Sequence, residues 1–404
     1  MMTIPYSLSH LSNTLKRSVM RDLIALANRP EVISFAGGLP AADHLPLAQI
    51  RTCLEAVLTR DGARALQYGP PYAPLREWIA AHMRRRGVDC SVEHIFITNG
   101  AQQALEILGR LLLDPGDLAL VEALTFTGIG QVMQSHGAVL RSVPMDFETG
   151  MDVDALEEAL AHPPDGVLRR ARLGVVIPDF HNPSGASLTL EKRAGIAALA
   201  ARYGVPIVED DPYSLLRYAG ELLPPVKAFD EAGAVLYVGS FSKMIAPAMR
   251  LGWIVAPLEV LPRLTVLREA IDLESSQLLQ RTVTEFLTRG YLEPHLAGLN
   301  AANLARRDAM LAALDRELGG AANWTTPEGG LFVWVTLPDG VDTAELFQVA
   351  LSRQVAYIPG VHFSADGGFA NALRLNYSNA APEKIHEGVR RLAGVIKERL
   401  VVPA

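Results

Sequence analysis

From about His94 onward the chain alternates two hydrophobic rhythms. Short unbroken apolar runs read as buried strands, and apolar residues recurring every three or four positions read as helices packed on a core. "HIFITNG" (94–100) is a strand and "AQQALEILGRLLL" (101–113) the helix after it. "DLALVEA" (117–123), "FTGIGQVMQSHG" (126–137) and "AVLRSVPM" (138–145) repeat strand, helix and strand. "LGVVIPDF" (173–180) is a strand and "LEKRAGIAALAARYG" (190–204) a helix that ends at Gly204. "VPIVEDD" (205–211), "AVLYVGS" (234–240) and "RLGWIVA" (250–256) are further strands. Such alternation predicts an α/β fold, a mostly parallel sheet with helices on both faces. Past Arg263 the rhythm changes. Long helical stretches run over 264–288 and 294–318. A strand at 329–337, a helix at 343–353, a strand at 372–378 and a helix at 382–400 follow, an α+β pattern. The segment before Leu66 does not read as part of the parallel sheet.

Composition narrows the class. A chain of 404 residues suits two domains, and 49% hydrophobic with 20% charged residues supports a large core. A formal net charge of −7 argues against nucleic acid as a partner. The basic run Met83-Arg84-Arg85-Arg86 reads as the solvated end of a helix that begins near Leu75. Two cysteines, Cys53 and Cys90, are too few for a disulfide framework, so a reducing compartment, the cytoplasm, is expected. Residues Met1–His10 lack a basic start followed by an apolar run, so no signal peptide is expected, and the chain shows no uncharged apolar stretch of membrane-spanning length.

Ligands of an open parallel sheet sit beyond the carboxyl ends of its strands. Four motifs fall there. In "TNGAQQ" (98–103), Gly100 allows close approach of the backbone, and the amides of Ala101 and Gln102 point at an anion. In "HNPSG" (181–185), Asn182 offers its amide from a turn set by Pro183 and Gly185. "VEDDPY" (208–213) crowds carboxylates at a strand end, so one of them needs a cationic partner, and Asp210 and Tyr213 can reach one planar ligand. The alternative for this stretch is a surface loop beginning at Glu209. In "VGSFSKMIAPAMRLGW" (238–253), Ser240, Ser242 and Arg250 suit a phosphate, and Lys243 is the one lysine held beside them. Together they ask for a ligand with a phosphate, a basic ring nitrogen, a phenolate-like oxygen and a carbonyl. Pyridoxal 5'-phosphate has all four, with Asp210 keeping the ring nitrogen protonated and Lys243 as nucleophile and proton shuttle.

With these motifs in this order and spacing, the chain from about Ser18 onward resembles the class I aminotransferases of pyridoxal phosphate fold type I. "SFAGGLP" (34–40) and "LQYGPPYAPLRE" (66–77) are similar to the group containing 2-aminoadipate and kynurenine aminotransferases. The resemblance implies a large domain with a mostly parallel seven-stranded sheet plus a smaller α+β domain. Residues 1–65 would be an N-terminal arm packing with the small domain, 66–290 the large domain and 291–404 the small domain. It implies Lys243 as the Schiff-base lysine, Asp210 on the pyridine nitrogen, and Asn182 and Tyr213 on the ring hydroxyl oxygen. Gly100, Ala101, Gln102, Ser240, Ser242 and Arg250 would surround the phosphate, with Tyr68 arriving from the other subunit of a homodimer whose active sites are composite. Phe126 would stack on the ring. Arg374 would clamp the substrate α-carboxylate, beside Asn182 and Gly38, and Arg21 would read a distal side-chain carboxylate. The implied reaction moves an α-amino group between an L-amino acid and a 2-oxo acid, with glutamate and 2-oxoglutarate as one pair. Aminoadipate, aromatic or branched-chain amino acids would be the other substrates. β-Elimination or decarboxylation would use the same Lys243 and Asp210. A non-catalytic effector-sensing module would carry a helix-turn-helix domain, for which the segment before Leu66 is too short.

Overall fold

The computed structural model describes residues 6–15, 23, 29–162 and 170–401. Its centre is a sheet of seven strands: β2 (Ile95–Thr98), β3 (Leu118–Glu122), β4 (Val139–Val143), β7 (Ala171–Val176), β8 (Ile207–Asp211), β9 (Val235–Ser240) and β10 (Gly252–Val255). They lie in the order β2-β10-β9-β8-β7-β3-β4. Only β10 runs antiparallel to its neighbours, so the carboxyl ends of the other six share one edge. Between β4 and β7, β5 (Met145–Asp146) and β6 (Gly150–Met151) form a small hairpin. The central strands are buried along their whole length, as the unbroken apolar runs require. At the β2 edge, Arg76 donates to Ile95 O and Val92 O, and Arg268 to Ile97 O. These guanidiniums cover carbonyls that would otherwise invite another strand.

A second unit is built on β11 (Asn323–Trp324), β12 (Phe332–Thr336), β14 (Ile358–Pro359) and β15 (Ala372–Asn376), ordered β11-β12-β15-β14. Strand β1 (Ile33–Ser34) pairs in parallel with β13 (Val355–Ala356). One core joins Ile33, Phe35 and Ala36 to Trp334, Tyr357 and the helix Pro382–Val401. Of the chain before Leu66, residues 33–36 join the C-terminal core, whereas the helix Leu47–Asp61 packs through Cys53 with Leu75, Trp253 and Val283 beside the large sheet, so the segment is not wholly an arm of the small domain.

Two expectations need correction. The helical stretch over 264–288 is two helices, Leu261–Glu269 and Gln277–Thr288. Between them Leu273 takes a left-handed φ of 65°. The basic run 83–86 is a helix end that is solvated only in part: Arg84 and Arg85 are exposed, but Met83 and Arg86 are buried, and Arg86 reaches under the sheet to Asp211.

Candidate active site

Six connections leave the carboxyl edge of the sheet, and all but the one after β4 bring residues singled out above to that edge. After β2, Gly100 at φ 80° turns the chain into the helix Ala101–Leu112. No side chain caps this helix, so its first amides face outward for another acceptor. Gly252 opens β10 against the same turn. A Cβ there would stand 2.9 Å from Gly100 C and 3.0 Å from Ala101 N, so only glycine fits. The exposed Arg250 donates to Asn99 O at 3.0 Å and lays its guanidinium beside Gly100. Ser242 N donates to the buried Ser240 Oγ at 3.1 Å. Phe126 caps the helix Thr127–Ser135, and its ring and Gln102 Oε1 both border Gly128. The result is a shallow cradle of free amides, hydroxyls and one guanidinium.

The charged groups behind the cradle are buried and only partly answered. Lys243 Nζ donates to Gly38 O at 2.7 Å. Burial, with help from Arg374 and Arg250, lowers its pKa from 10.5 to about 8. Asp210 is buried at the end of β8, and its Oδ1 has no hydrogen-bond partner. Burial and the neighbouring Asp211 charge raise its pKa to about 7. Tyr213 stands edge-on to Phe332 at 5.9 Å, and burial and Asp210 push its hydroxyl pKa up. Arg374 on β15 donates to Asn182 Oδ1 at 2.9 Å and to Ala36 O at 2.5 Å. Its guanidinium lies over Phe332 and Phe363, 4.4 and 4.9 Å from the ring centres. Burial lowers its pKa to about 10, and among the described residues no carboxylate pairs with it.

Lys243, Asp210, Asn182, Tyr213, Arg374 and Gly38 thus form one neighbourhood, with Gly100, Ala101, Gln102, Phe126, Ser240, Ser242 and Arg250 around the cradle. Tyr68 is elsewhere in this chain. It is 85% exposed and lines a cavity of about 670 Å3 with Ile97, Arg268 and Leu273, along the β2 edge. Arg21 lies outside the described residues. The surface-loop alternative for "VEDDPY" fails, because Glu209, Asp210 and Asp211 are all buried.

Three supporting groups were not assigned to the site from the sequence. Arg86 Nη1 reaches Asp211 Oδ2 at 2.7 Å, and the Tyr237 hydroxyl donates to the same oxygen at 2.9 Å. Crowded acids at 209–211 did signal a cation, though not which one. Asp272 Oδ2 accepts from Asn99 Nδ2 at 2.6 Å and Gln103 Nε2 at 2.5 Å, tying the turn after β2 to the helix break. Nothing in its local sequence marks it. His181 Nε2 lies 3.1 Å from Glu122 Oε2, and its Nδ1 is 3.0 Å from Ser184 Oγ, beneath Asn182. The "HNPSG" turn carried that histidine in view.

A family model, aminotransferase class I and II, matches residues 30–392. The chain belongs to that family. It is 40% identical over 390 residues to an aromatic-amino-acid aminotransferase 1 of Thermococcus litoralis, covering 96% of this chain and 93% of that protein. It is 38% identical to a 2-aminoadipate transaminase of Thermus thermophilus, covering 96% of each. The solved kynurenine aminotransferase of Pyrococcus horikoshii superposes with a TM-score of 0.93 at 36% identity, covering 98% of both chains. This aminotransferase is an α/β protein of fold type I, an enzyme that carries out transamination with pyridoxal phosphate. The residues present fit that cofactor. The cradle has free amides for a phosphate, and the buried Asp210 Oδ1 has no partner inside the protein. Among the described residues no helix is long and apolar enough to cross a membrane.

Proposed function

We infer that this aminotransferase moves the α-amino group of aromatic and related L-amino acids to 2-oxoglutarate, as a cytoplasmic homodimer. The observation that carries the residue roles is the pair of buried, unanswered charges, Asp210 and Arg374, in the neighbourhood of Lys243. Bound beside them, pyridoxal phosphate supplies a carbonyl for an amino group and a ring that accepts electrons from Cα. Asp210 gives a protonated ring nitrogen its counter-charge. Tyr213 and Asn182 would meet the ring hydroxyl, Phe126 would stack on the ring, and Arg250, Ser240, Ser242 and the helix start would hold the phosphate. Lys243, with a pKa near 8, carries a useful fraction of free amine at neutral pH, so its Nζ can take and return a proton. Arg374, steadied by Asn182, grips the α-carboxylate through a charge-assisted pair. Phe332, Phe363 and Tyr213 give the neighbourhood an aromatic lining. That lining and the relatives' names support aromatic and aminoadipate-type donors. Residues 66–290 serve as the cofactor domain and 291–404, with residues 33–36 of the segment 1–65, as the domain that brings Arg374. Two free, buried cysteines agree with a reducing compartment.

The test is a donor panel of phenylalanine, tryptophan, 2-aminoadipate, glutamate and leucine against suitable 2-oxo acids, scored by kcat/KM. Aromatic donors with 2-oxoglutarate should lead, with the oxo acid as product. Lys243→Ala should lose the visible absorbance of the bound cofactor and at least about 10²–10⁴ in turnover. Release of carbon dioxide or of a β-substituent as the main product would overturn the reading. So would a Lys243→Ala protein of undiminished turnover.

A further inference from the structure

Three consecutive buried acids end β8, and each is treated differently. Glu209 accepts from the amides of Val226 at 2.7 Å and Lys227 at 2.8 Å. Asp211 accepts from Arg86 Nη1, from the Tyr237 hydroxyl and from Ser214 N at 3.0 Å. Asp210 keeps an oxygen without any hydrogen bond. Strand geometry separates them, since successive side chains point to opposite faces. Asp210 shares its face with Val208 and Val238, above which Tyr213 lies. Asp211 shares the other face with Glu209 and Tyr237, and Gly239 stands opposite it in the β9 register. Arg86 comes from the far side of the sheet, at the end of the helix Ala73–Arg85, with its side chain 3% exposed.

We propose that Arg86 and Tyr237 are positioning residues that bind the charge of Asp211 on one face of the sheet, so that Asp210 on the other face stays free to ionise against its ligand. This rests on the reading that Asp210 faces the cofactor's ring nitrogen. An ionised carboxylate one residue away opposes a second ionisation, and an adjacent cation cancels much of that field. Among the described residues, Arg86 is the cation paired with Asp211, whereas Lys243 and Arg374 lie on the ligand side with Asp210. His82, on the same helix, is buried beside Arg86 and Arg85, and its pKa falls to about 3, so it stays neutral. Arg193 is already paired with Asp179 at 2.9 Å, and Lys227 with Asp230 at 2.7 Å. Tyr213 and Ser214, on the turn after β8, bring no positive charge. Arg86 lowers the pKa of Asp211 against its burial, and the Ser214 amide and the Tyr237 hydroxyl donate to the same carboxylate and remain when the guanidinium is removed. The charge Asp211 then keeps would act on Asp210 with no cation to cancel it.

The experiment follows the affinity of the cofactor-free protein for pyridoxal phosphate from acid to alkaline pH, by absorbance titration. The control is Asp210→Asn, which should erase the acid limb of that profile. A limb that persists in Asp210→Asn would overturn the role of Asp210 itself. Given the control, Asp211→Asn removes the opposing charge and should move the limb about one pH unit toward acid. Arg86→Met should move it about as far toward alkaline pH. Tyr237→Phe, which removes one hydroxyl and keeps the ring, should move it the same way by less, and it carries the alkaline arm if Arg86→Met does not fold. If the variants lower affinity equally at every pH and leave the limb where it is, the trio is structural packing and the proposal fails.

Discussion

Asp210 carries the cost of the site when no ligand answers it. Its carboxyl is buried at the end of β8, and burial with the Asp211 charge raises its pKa from 3.8 to about 7. A raised carboxyl pKa means that folding takes up a proton. The stability given by the neutral form is therefore full below pH 3.8 and is lost as pH rises through about 7. Asparagine keeps the neutral shape at every pH. Thermal or urea unfolding of the cofactor-free protein should thus find Asp210→Asn more stable than wild type at pH 8, by an amount on the order of 4 kcal/mol. The gap should close toward pH 4. Loaded with pyridoxal phosphate, the order should reverse, because the wild-type carboxylate then has a cation to face. If the cofactor-free proteins unfold alike at pH 8, Asp210 is solvated in solution and is not poised for a ligand. Lys243 is tuned in the complementary sense. Its lowered pKa gives a share of free amine where an ordinary lysine would be almost wholly charged.

At the scale of elements, what was legible is what is local. Strand and helix rhythms located all seven strands of the sheet, and turn chemistry located Gly100, Asn182, Asp210 and Lys243 at its carboxyl edge. Pairings between distant segments were not legible. Arg86 looked like a solvated arginine, because its partner lies 125 positions away. The helix break at Leu273 carries no glycine or proline to announce it, and the reason for it is Asp272. That carboxylate pairs with Arg268 and also receives Asn99 and Gln103, so the chain must turn there to reach the turn after β2. Asp272 is thus a brace between the helix Leu261–Glu269 and the cradle. Its loss leaves Asn99 and Gln103 without their acceptor. Asp272→Ala should weaken retention of pyridoxal phosphate by about tenfold, the effect of one charge-assisted bond. Turnover per bound cofactor should hardly change. Dialysis followed by cofactor titration measures the first, and kcat at saturating cofactor the second. A fall confined to kcat would place Asp272 in the chemistry and not in the brace.

At the scale of the whole molecule, one residue does not fit within a single chain. Tyr68 is 85% exposed, beside Leu66 at 68%, and shares its cavity with Leu273, itself 57% exposed. Clustered apolar side chains at a sheet edge mark a surface that another protein covers. On the homodimer reading proposed above, Tyr68 would cross to the phosphate cradle of a second copy of this chain, and each site would be completed by the other. The arrangement has an arithmetic consequence. Tyr68→Ala chains and Lys243→Ala chains each form crippled homodimers. In a mixed dimer one site joins an intact Lys243 to the intact Tyr68 of the other chain, and the second site carries both lesions. Random exchange makes half the dimers mixed, with one good site in two, so activity should recover to about a quarter of wild type. The assay is run at limiting pyridoxal phosphate, where loss of a phosphate contact is felt most, and subunit exchange is verified by mass-tagged chains. If Tyr68 served its own chain, every mixed dimer would pair a Lys243 lesion with a Tyr68 lesion on separate sites and nothing would recover. Exchange without recovery would therefore assign Tyr68 to the site of its own chain and overturn the shared site.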